Sequence, residues 1–131
     1  MSNVGIVLVS HSHELVKGLH ALLEQIQPEV PIAIAGGTES GDIGTDVFAI
    51  KKAIEEVYSE KGVALFFDLG SAQLSAEMAI ELLDNMQQIQ LVDAPLVEGS
   101  YVAVVESGCG SPLHEVVAVA EGVRNLNKMN H

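Results

Sequence analysis

Runs of apolar residues alternate along the chain with segments of helical periodicity. Four short runs are predicted as strands, beginning near Val4, Ile32, Val63 and Ile89, and a helical pattern follows each of the first three. The third run is continuously apolar, as is typical of a central parallel strand covered on both faces. We therefore predict an α/β fold, with residues 1–131 as a single domain: a doubly wound, mainly parallel four-stranded sheet in the order 2-1-3-4, with helices on both faces.

The helices are predicted from apolar residues at steps of three and four. The first spans about residues 13–27 and is expected to bury Leu15, Leu19, Leu22, Leu23 and Ile26. Ser71 is the predicted N-cap of the third helix. That helix carries Leu74, Met78, Leu82 and Met86, of which Met78 and Met86 are expected to lie in the core. After Pro95 the pattern fits either a strand or a helix, and we favour a helix.

Charge and composition limit the class of partner. Eighteen acidic residues against six Lys and Arg give a formal charge of −12, which argues against a nucleic acid or an anionic membrane and favours a basic protein partner. The single cysteine, Cys109, excludes an intramolecular disulfide and fits a reducing compartment. The N-terminal segment has no positively charged region before its short apolar run, and no long apolar stretch follows. We therefore expect a cytoplasmic protein.

The candidate chemistry lies at the carboxyl ends of two strands. His11 directly follows the first strand and Asp68 follows the third. Strands one and three are neighbours in the predicted order, so we expect both side chains in one crevice. A carboxylate bonded to one imidazole nitrogen fixes the tautomer and leaves the other lone pair facing outward, which makes a competent phosphoryl acceptor. From spacing alone, a strand-end histidine such as His11 is more often a polar surface residue than a nucleophile. Asp68 is equally well explained as an Asx turn or a helix cap.

A phosphoryl group at this crevice would have to be held by neutral donors. The loops at these strand ends contain no Lys or Arg. Backbone N–H groups at helix starts supply an alternative, at Gly70 and Ser71 for one helix and at Ser12 for another. Gly37 and Thr38, in the glycine-rich loop after the second strand, are further candidate phosphate-binding residues. A turn-rich connection explains that loop equally well.

We expect neither a metal site nor a directly bound cofactor. His13 and His11 have His-x-His spacing, but no cysteine or third ligand lies near them in the sequence, so His13 is interpreted as a first-turn helix residue. The glycine-rich loop does not match the G-x-G-x-x-G or Walker pattern, and no nucleotide site is predicted from it.

Four motifs resemble those of a known family. In chain order they are VSHS at 9–12, GTD at 44–46, FDLGSA at 67–72 with LSAE at 74–77, and APLVEG at 94–99. They resemble the DhaM family, the phosphotransferase subunits of phosphoenolpyruvate-dependent dihydroxyacetone kinases, within the mannose-type enzyme IIA superfamily of the phosphotransferase system. The resemblance covers nearly the whole chain.

The resemblance implies a phosphotransferase component in which His11 carries the phosphoryl group. His11 would receive it from the phosphocarrier HPr and pass it to ADP on the partner subunit DhaL, while DhaK transfers phosphate to dihydroxyacetone. Asp68 falls on the position of the aspartate that supports the histidine. Larger family members append HPr-like and enzyme I-like domains, and this chain resembles the single-domain form that draws on free HPr. The resemblance also implies a homodimer, although residues 123–131 show no strand pattern that would indicate strand exchange.

Two other functions stay open from the sequence. The first is an enzyme IIA component of a mannose-family sugar permease, which has the same chemistry at His11 but a membrane-linked partner. The FDLGSA and APLVEG motifs favour the kinase subunit over it. The second is a non-catalytic, flavodoxin-like binding module in which His11 is incidental, and this predicts no phosphorylation by phosphoenolpyruvate, enzyme I and HPr.

Overall fold

A computed structural model of the chain describes residues 3–129, which form a parallel sheet between two layers of helices. In chain order the elements are β1 (Gly5–Ser10), α1 (His13–Ile26), β2 (Ile32–Gly36), α2 (Val47–Val57), β3 (Val63–Phe67), α3 (Ser71–Glu81), β4 (Ile89–Leu91), α4 (Leu96–Gly108), α5 (Leu113–Gly122) and a 3-10 turn (Val123–Asn125). The four strands are all parallel and lie in the order β2-β1-β3-β4, which confirms the predicted α/β fold and strand order. Of the C-terminal segment examined for strand exchange, residues 130 and 131 lie outside the described residues.

The core has one layer on each side of the sheet. Successive side chains of β1 point to opposite faces. Ile6 and Leu8 pack with α1, α4 and α5, whereas Val7 and Val9 pack with α2 and α3. All six residues of β1 are buried, as expected for a central strand of a parallel sheet.

The register between β1 and β3 positions the residues that follow both strands. Val9 pairs with Phe67, so the next rung brings Ser10 beside Asp68. Ser10 continues the face of β1 that carries Leu8, and Asp68 continues the same face of β3. Two polar side chains therefore meet on one face, at the carboxyl end of the two central strands.

Two glycines allow the start of α1 to approach the end of β2. A Cβ on Gly36 would lie 2.7 Å from the carbonyl oxygen of Ser12 and 2.8 Å from the Cα of His13, closer than real Cβ atoms come to backbone atoms. Gly37 has a φ of +76°, a left-handed conformation that side chains disfavour. The glycine pair is thus required by the close approach of α1 and by the turn after β2.

Two helices bury different residues from those predicted. In α1 the buried side chains are Val16, Leu19 and Leu23, whereas Leu15 is 44% exposed and Leu22 is 51% exposed. Only one face of a surface helix packs against its sheet. The predicted set of buried leucines extended beyond that face to Leu15 and Leu22.

The prediction for α3 was wrong in the same way. Its buried face consists of small residues, namely Ala72, Ala76 and Ala79. Met78, predicted to be in the core, is 55% exposed, and Leu74 and Leu82 of the same apolar pattern are also exposed. Alanines let the helix lie close against the sheet, and the larger side chains therefore project to the opposite side. Met86, beyond the helix, is partly buried against the core as expected.

The segment after Pro95 is helical, as we favoured. Helix α4 buries residues along its length, including Leu96, Ala103 and Val104, and packs against α5 and the central strands. Within residues 3–129, none of the helices combines the length and the apolar character that crossing a membrane requires.

Candidate functional site

His11 lies in the short connection between β1 and α1. Its backbone is held from two sides: the N–H donates to Asp68 Oδ2 at 3.0 Å, and the carbonyl oxygen accepts from Gly44 N at 2.9 Å. Ser12, the next residue, is the N-cap of α1 and accepts from Leu15 N through its side chain. The His11 side chain is 21% exposed, so it is partly accessible to solvent while its backbone is anchored.

The imidazole of His11 and the carboxylate of Asp68 are in direct contact. His11 Nδ1 lies 3.0 Å from Asp68 Oδ1. An ionised carboxylate only accepts hydrogen bonds, so Nδ1 carries the proton and donates it. In the neutral ring this leaves the lone pair on Nε2. Nδ1 is therefore the hydrogen-bond donor of the ring, and Nε2 is the nitrogen with nucleophilic character.

Ser71 lies at that second nitrogen. Its Oγ is 2.8 Å from His11 Nε2 and donates a hydrogen bond to the ring in this tautomer. The prediction that Ser71 caps α3 was wrong: the N-cap is Gly70, and no side chain caps the helix. The Ser71 hydroxyl instead faces the histidine, and Ser71 is exposed at the mouth of the site.

The carboxylate of Asp68 accepts four hydrogen bonds. Oδ1 receives His11 Nδ1–H and the N–H of Leu69 at 2.7 Å. Oδ2 receives the hydroxyl of Ser10 at 2.7 Å and the N–H of His11. Burial raises the pKa of Asp68, but these hydrogen bonds together lower it by more, and the pKa lies below its ordinary value. Asp68 is therefore the anion of the site at neutral pH.

Ser10 belongs to the site, although the sequence analysis did not assign it a role. It is 0% exposed, at the last position of a strand whose other residues are glycine or apolar. A buried hydroxyl needs a hydrogen-bond partner. A serine at the end of a fully buried strand is the signal that would have indicated such a partner on the neighbouring strand.

The structure separates the candidate phosphate-binding residues into two groups. Ser71 contacts the imidazole directly, and among residues 3–129 neither its N–H nor that of Gly70 has an acceptor. The N–H groups of Ser12, Gly37 and Thr38 are already used, donating respectively to Ser10 Oγ, to the carbonyl oxygen of Ser10 and to the carbonyl oxygen of Asp42. Within the described part of the chain, Gly70 and Ser71 are thus the candidates whose backbone N–H groups are free, and Ser71 also contacts His11.

Exposed apolar side chains lie on the segments that frame the site. Ile43 directly precedes the residue that holds the His11 carbonyl and is 74% exposed; Leu69 directly follows Asp68 and is 62% exposed. Phe48 and Leu74, in the first turns of α2 and α3, are 72% and 69% exposed. A hydrogen bond of 2.7 Å between Thr45 and Ser75 links those two helix starts. We call these four residues the apolar rim.

The arrangement suits a nucleophile that is accessible and electrostatically supported. Nε2 has the lone pair of the neutral ring, and the Asp68 carboxylate is placed to stabilise positive charge on that ring. Among residues 3–129 no group of three or more His, Cys, Asp or Glu side chains is arranged to hold a metal ion. The described side chains therefore support nucleophilic chemistry at His11.

Comparison with known proteins defines the class first. The family model described as "PTS system fructose IIA component" matches residues 5–117. This range includes every strand and the whole His11 site. The chain belongs to this family of phosphotransferase-system IIA components.

Individual relatives within this family are DhaM subunits. A protein of Lactococcus lactis subsp. lactis, named "PTS-dependent dihydroxyacetone kinase, phosphotransferase subunit DhaM", is 36% identical over 126 residues, covering 95% of this chain and 94% of that protein. A protein of Listeria innocua serovar 6a, named "PEP-dependent dihydroxyacetone kinase 1, phosphoryl donor subunit DhaM", is 40% identical over 102 residues, covering 78% of this chain and 80% of that protein.

A solved structure also matches closely. The crystal structure described as the unknown function protein EF1359 superimposes with a TM-score of 0.86 at 36% identity, covering 99% of this chain and 100% of that chain. Together these similarities confirm the resemblance to DhaM subunits that the four sequence motifs indicated, and the mannose-type IIA fold that it implied.

Proposed function

We propose that the chain is the phosphoryl donor subunit of a phosphoenolpyruvate-dependent dihydroxyacetone kinase, with His11 as the carrier of the phosphoryl group. The observation that carries the proposal is the pairing of His11 Nδ1 with Asp68 Oδ1 at 3.0 Å, which leaves the lone pair on Nε2 of a side chain that is 21% exposed. The similarity to DhaM subunits supports the same assignment.

The proposed first step is attack of His11 Nε2 on the phosphorus atom of phospho-HPr. The P–N bond of the donor breaks as a P–N bond to Nε2 forms. The donor's histidine, which carries a proton on its other ring nitrogen, takes back the electrons of its P–N bond and leaves as neutral imidazole. His11 keeps the proton on Nδ1, and its ring gains positive charge as Nε2 becomes bonded to phosphorus. Asp68 stabilises that charge, because its carboxylate is ionised and in contact with Nδ1–H.

Neutral donors would hold the transferred group. The Ser71 hydroxyl lies beside Nε2 and rotates to donate to a phosphoryl oxygen once the nitrogen lone pair is used. The N–H groups of Gly70 and Ser71 supply two further donors at the start of α3. Neutral donors bind phosphate less strongly than Lys or Arg would, and onward transfer stays feasible. Of the other candidates, the backbone N–H groups of Ser12, Gly37 and Thr38 would contribute only after their present hydrogen bonds break.

The proposed second step is transfer from His11 to ADP on the partner subunit DhaL. The terminal phosphate oxygen of ADP attacks the phosphorus, and the electrons of the P–N bond return to Nε2. ATP regenerated in this way would phosphorylate dihydroxyacetone on DhaK. The chain itself then needs no nucleotide site and acts as a carrier between two proteins in the cytoplasm.

Intact-mass spectrometry after reaction with phosphoenolpyruvate, enzyme I and HPr tests the first step. The wild-type chain is expected to gain one phosphoryl group that is lost in acid. His11→Ala is expected to gain none. His13→Ala is the matched control, because His13 is an exposed histidine two residues away, and it is expected to gain the group normally. Phosphorylation of His11→Ala would reject the assignment.

Adding partner subunits to the phosphorylated chain tests the second step. Loss of the phosphoryl group with DhaL and ADP together, and with neither alone, is the expected result. Loss only in the presence of a sugar permease of the mannose family would instead support the enzyme IIA alternative. A wild-type chain that never gains the group would support the non-catalytic binding module.

A further inference from the structure

The hydroxyl group of Ser10 lies on the buried side of the site. Ser10 is 0% exposed, and its Oγ is 2.7 Å from Asp68 Oδ2 and 2.9 Å from the backbone nitrogen of Ser12. Because a carboxylate only accepts hydrogen bonds, the single hydroxyl proton of Ser10 goes to Asp68. The oxygen of the same hydroxyl accepts the N–H of Ser12. One side chain thus joins the carboxylate to the first turn of α1.

This contact helps to hold the orientation of the Asp68 carboxylate relative to the histidine. The last torsion of an aspartate side chain has a broad minimum, so packing alone specifies the carboxylate orientation weakly. Oδ2 is held by Ser10 Oγ and by the backbone N–H of His11, and Oδ1 is therefore the oxygen that turns toward Nδ1. Strand register supports the arrangement, since Ser10 and Asp68 follow the paired residues Val9 and Phe67 on neighbouring strands.

We propose that Ser10 is a positioning residue for phosphoryl transfer: its hydroxyl holds the Asp68 carboxylate in the orientation that receives the His11 Nδ1–H and keeps Nε2 as the nucleophile. The inference rests on the proposed function, because it assigns Ser10 a part in the same transfer. Ser10 does not touch the phosphoryl group and acts through Asp68.

A second buried serine provides a matched control. Ser107 is also 0% exposed, and its Oγ donates to the carbonyl oxygen of Val4 at 2.7 Å, the same length as the bond from Ser10 to Asp68. Val4 directly precedes β1, whereas Ser10 ends it, so Ser107 lies at the other end of the strand from His11. Ser107→Ala removes an equally buried hydroxyl without touching the carboxylate.

Rapid-quench measurement of phosphoryl transfer from phospho-HPr is the first test. Ser10→Ala is expected to lower the maximal rate by about tenfold to a hundredfold, the usual effect of removing a group that orients a functional histidine through its carboxylate partner. The half-saturating concentration of phospho-HPr should stay unchanged, because the surface is the same. Ser10→Thr keeps the hydroxyl and should retain most of the rate, and Ser107→Ala should match wild type.

Carbon-13 NMR titration of the Asp68 carboxyl group is the second test and needs no transfer. Ser10→Ala removes one of the hydrogen bonds that lower the pKa of Asp68, so the pKa should rise in that variant and stay unchanged in Ser107→Ala. If Ser10→Ala fails to fold, Ser10→Cys replaces it with the same expectations, because a thiol is a weak donor.

The two tests distinguish failure of the inference from failure of the proposed function. A wild-type chain that accepts no phosphoryl group would reject the function, while the titration would still report whether Ser10 controls the carboxylate. The role of Ser10 would be overturned by a Ser10→Ala variant that transfers as fast as Ser107→Ala, by an unchanged Asp68 pKa, or by a Ser10→Thr variant as slow as Ser10→Ala.

Discussion

The side-chain oxygen of Ser71 lies 2.8 Å from His11 Nε2, the ring nitrogen that the Asp68 carboxylate leaves free. Each nitrogen of the imidazole therefore has one partner from the start of α3 or the loop before it. In the proposed transfer, the hydrogen bond from Ser71 would break before Nε2 bonds to phosphorus, and the released hydroxyl would then lie next to the incoming group. Ser71 would therefore contact first the free imidazole and then the phosphoryl group.

Ser71→Ala should slow phosphoryl acceptance without abolishing it. The variant loses one hydroxyl donor to the phosphoryl group but keeps the nucleophile, so we expect about a tenfold lower rate, equivalent to about 1.4 kcal/mol, within the range of one hydrogen bond to a charged group. Rapid-quench transfer from phospho-HPr measures it. Ser59→Ala, in the turn before β3 at the opposite end of the sheet, should have no effect. A Ser71→Ala rate equal to that of wild type would show that the Ser71 hydroxyl takes no part in the transfer.

Asp68→Asn should slow transfer in both directions by more than about tenfold. The asparagine amide has only one accepting oxygen, yet four donors face this position, and its NH2 group disfavours the tautomer with the proton on Nδ1. Rates measured from phospho-HPr to the chain, and back, test this, and nitrogen-15 NMR of His11 reports the tautomer. Unchanged rates in both directions would show that Asp68 has only a local structural role and does not support the transfer.

The contribution of Asp68 to stability should depend on pH with a defined sign. Hydrogen bonds hold the pKa of Asp68 below its ordinary value in the folded chain, so its stabilising contribution is present above about pH 4, the pKa of an unfolded aspartate, and is lost as the pH falls through the lower folded value. Urea unfolding of wild type and Asp68→Asn across this range measures it. The advantage of wild type should shrink in acid, and a difference that stays constant with pH would contradict the prediction.

Leu69→Ser should weaken recognition of the donor protein rather than the chemistry. Leu69 belongs to the apolar rim and is 62% exposed, while its backbone N–H, which the substitution keeps, holds Asp68 Oδ1. We expect the half-saturating concentration of phospho-HPr to rise by up to about tenfold, the equivalent of about 1.4 kcal/mol of lost contact, with the maximal rate unchanged. Leu22→Ser is the control, because Leu22 is 51% exposed on α1 and outside the rim. Equal effects of the two variants would contradict a docking role for the rim.

Gly36→Ala should destabilise the fold and displace the start of α1. The added Cβ would meet the backbone of Ser12 and His13 at 2.7 and 2.8 Å, so we expect a loss of about 1–3 kcal/mol in the free energy of unfolding. Gly18→Ala is the opposite case: no atom lies within 4 Å of its added Cβ, and removing a mid-helix glycine should stabilise by about 0.5–1 kcal/mol. Urea unfolding compares the two, and a neutral Gly36→Ala would show that α1 can move away without cost.

The local periodicity of apolar residues predicted most of the strands and helices. Buried parallel strands have continuous apolar runs and surface helices have apolar steps of three and four, so the alternation of strands and helices was predictable. The strand order followed from the rules for doubly wound sheets, and the pattern after Pro95 fitted a strand as well as the helix that forms. Which side of a helix is buried was less predictable. In α3 the alanines face the sheet and Met78 faces outward, because the closeness of helix and sheet favours small residues there, and that spacing is a property of the packed layers.

The sequence by itself determined that a histidine and an aspartate end neighbouring strands, since strand order and residue identity suffice for that inference. Only the tertiary structure decided which ring nitrogen is free, that Ser71 faces it, and that Ser10 holds the carboxylate. Those relationships depend on the register of β1 against β3 and on where α3 begins. Both are set by contacts between residues about sixty positions apart, which no local pattern records.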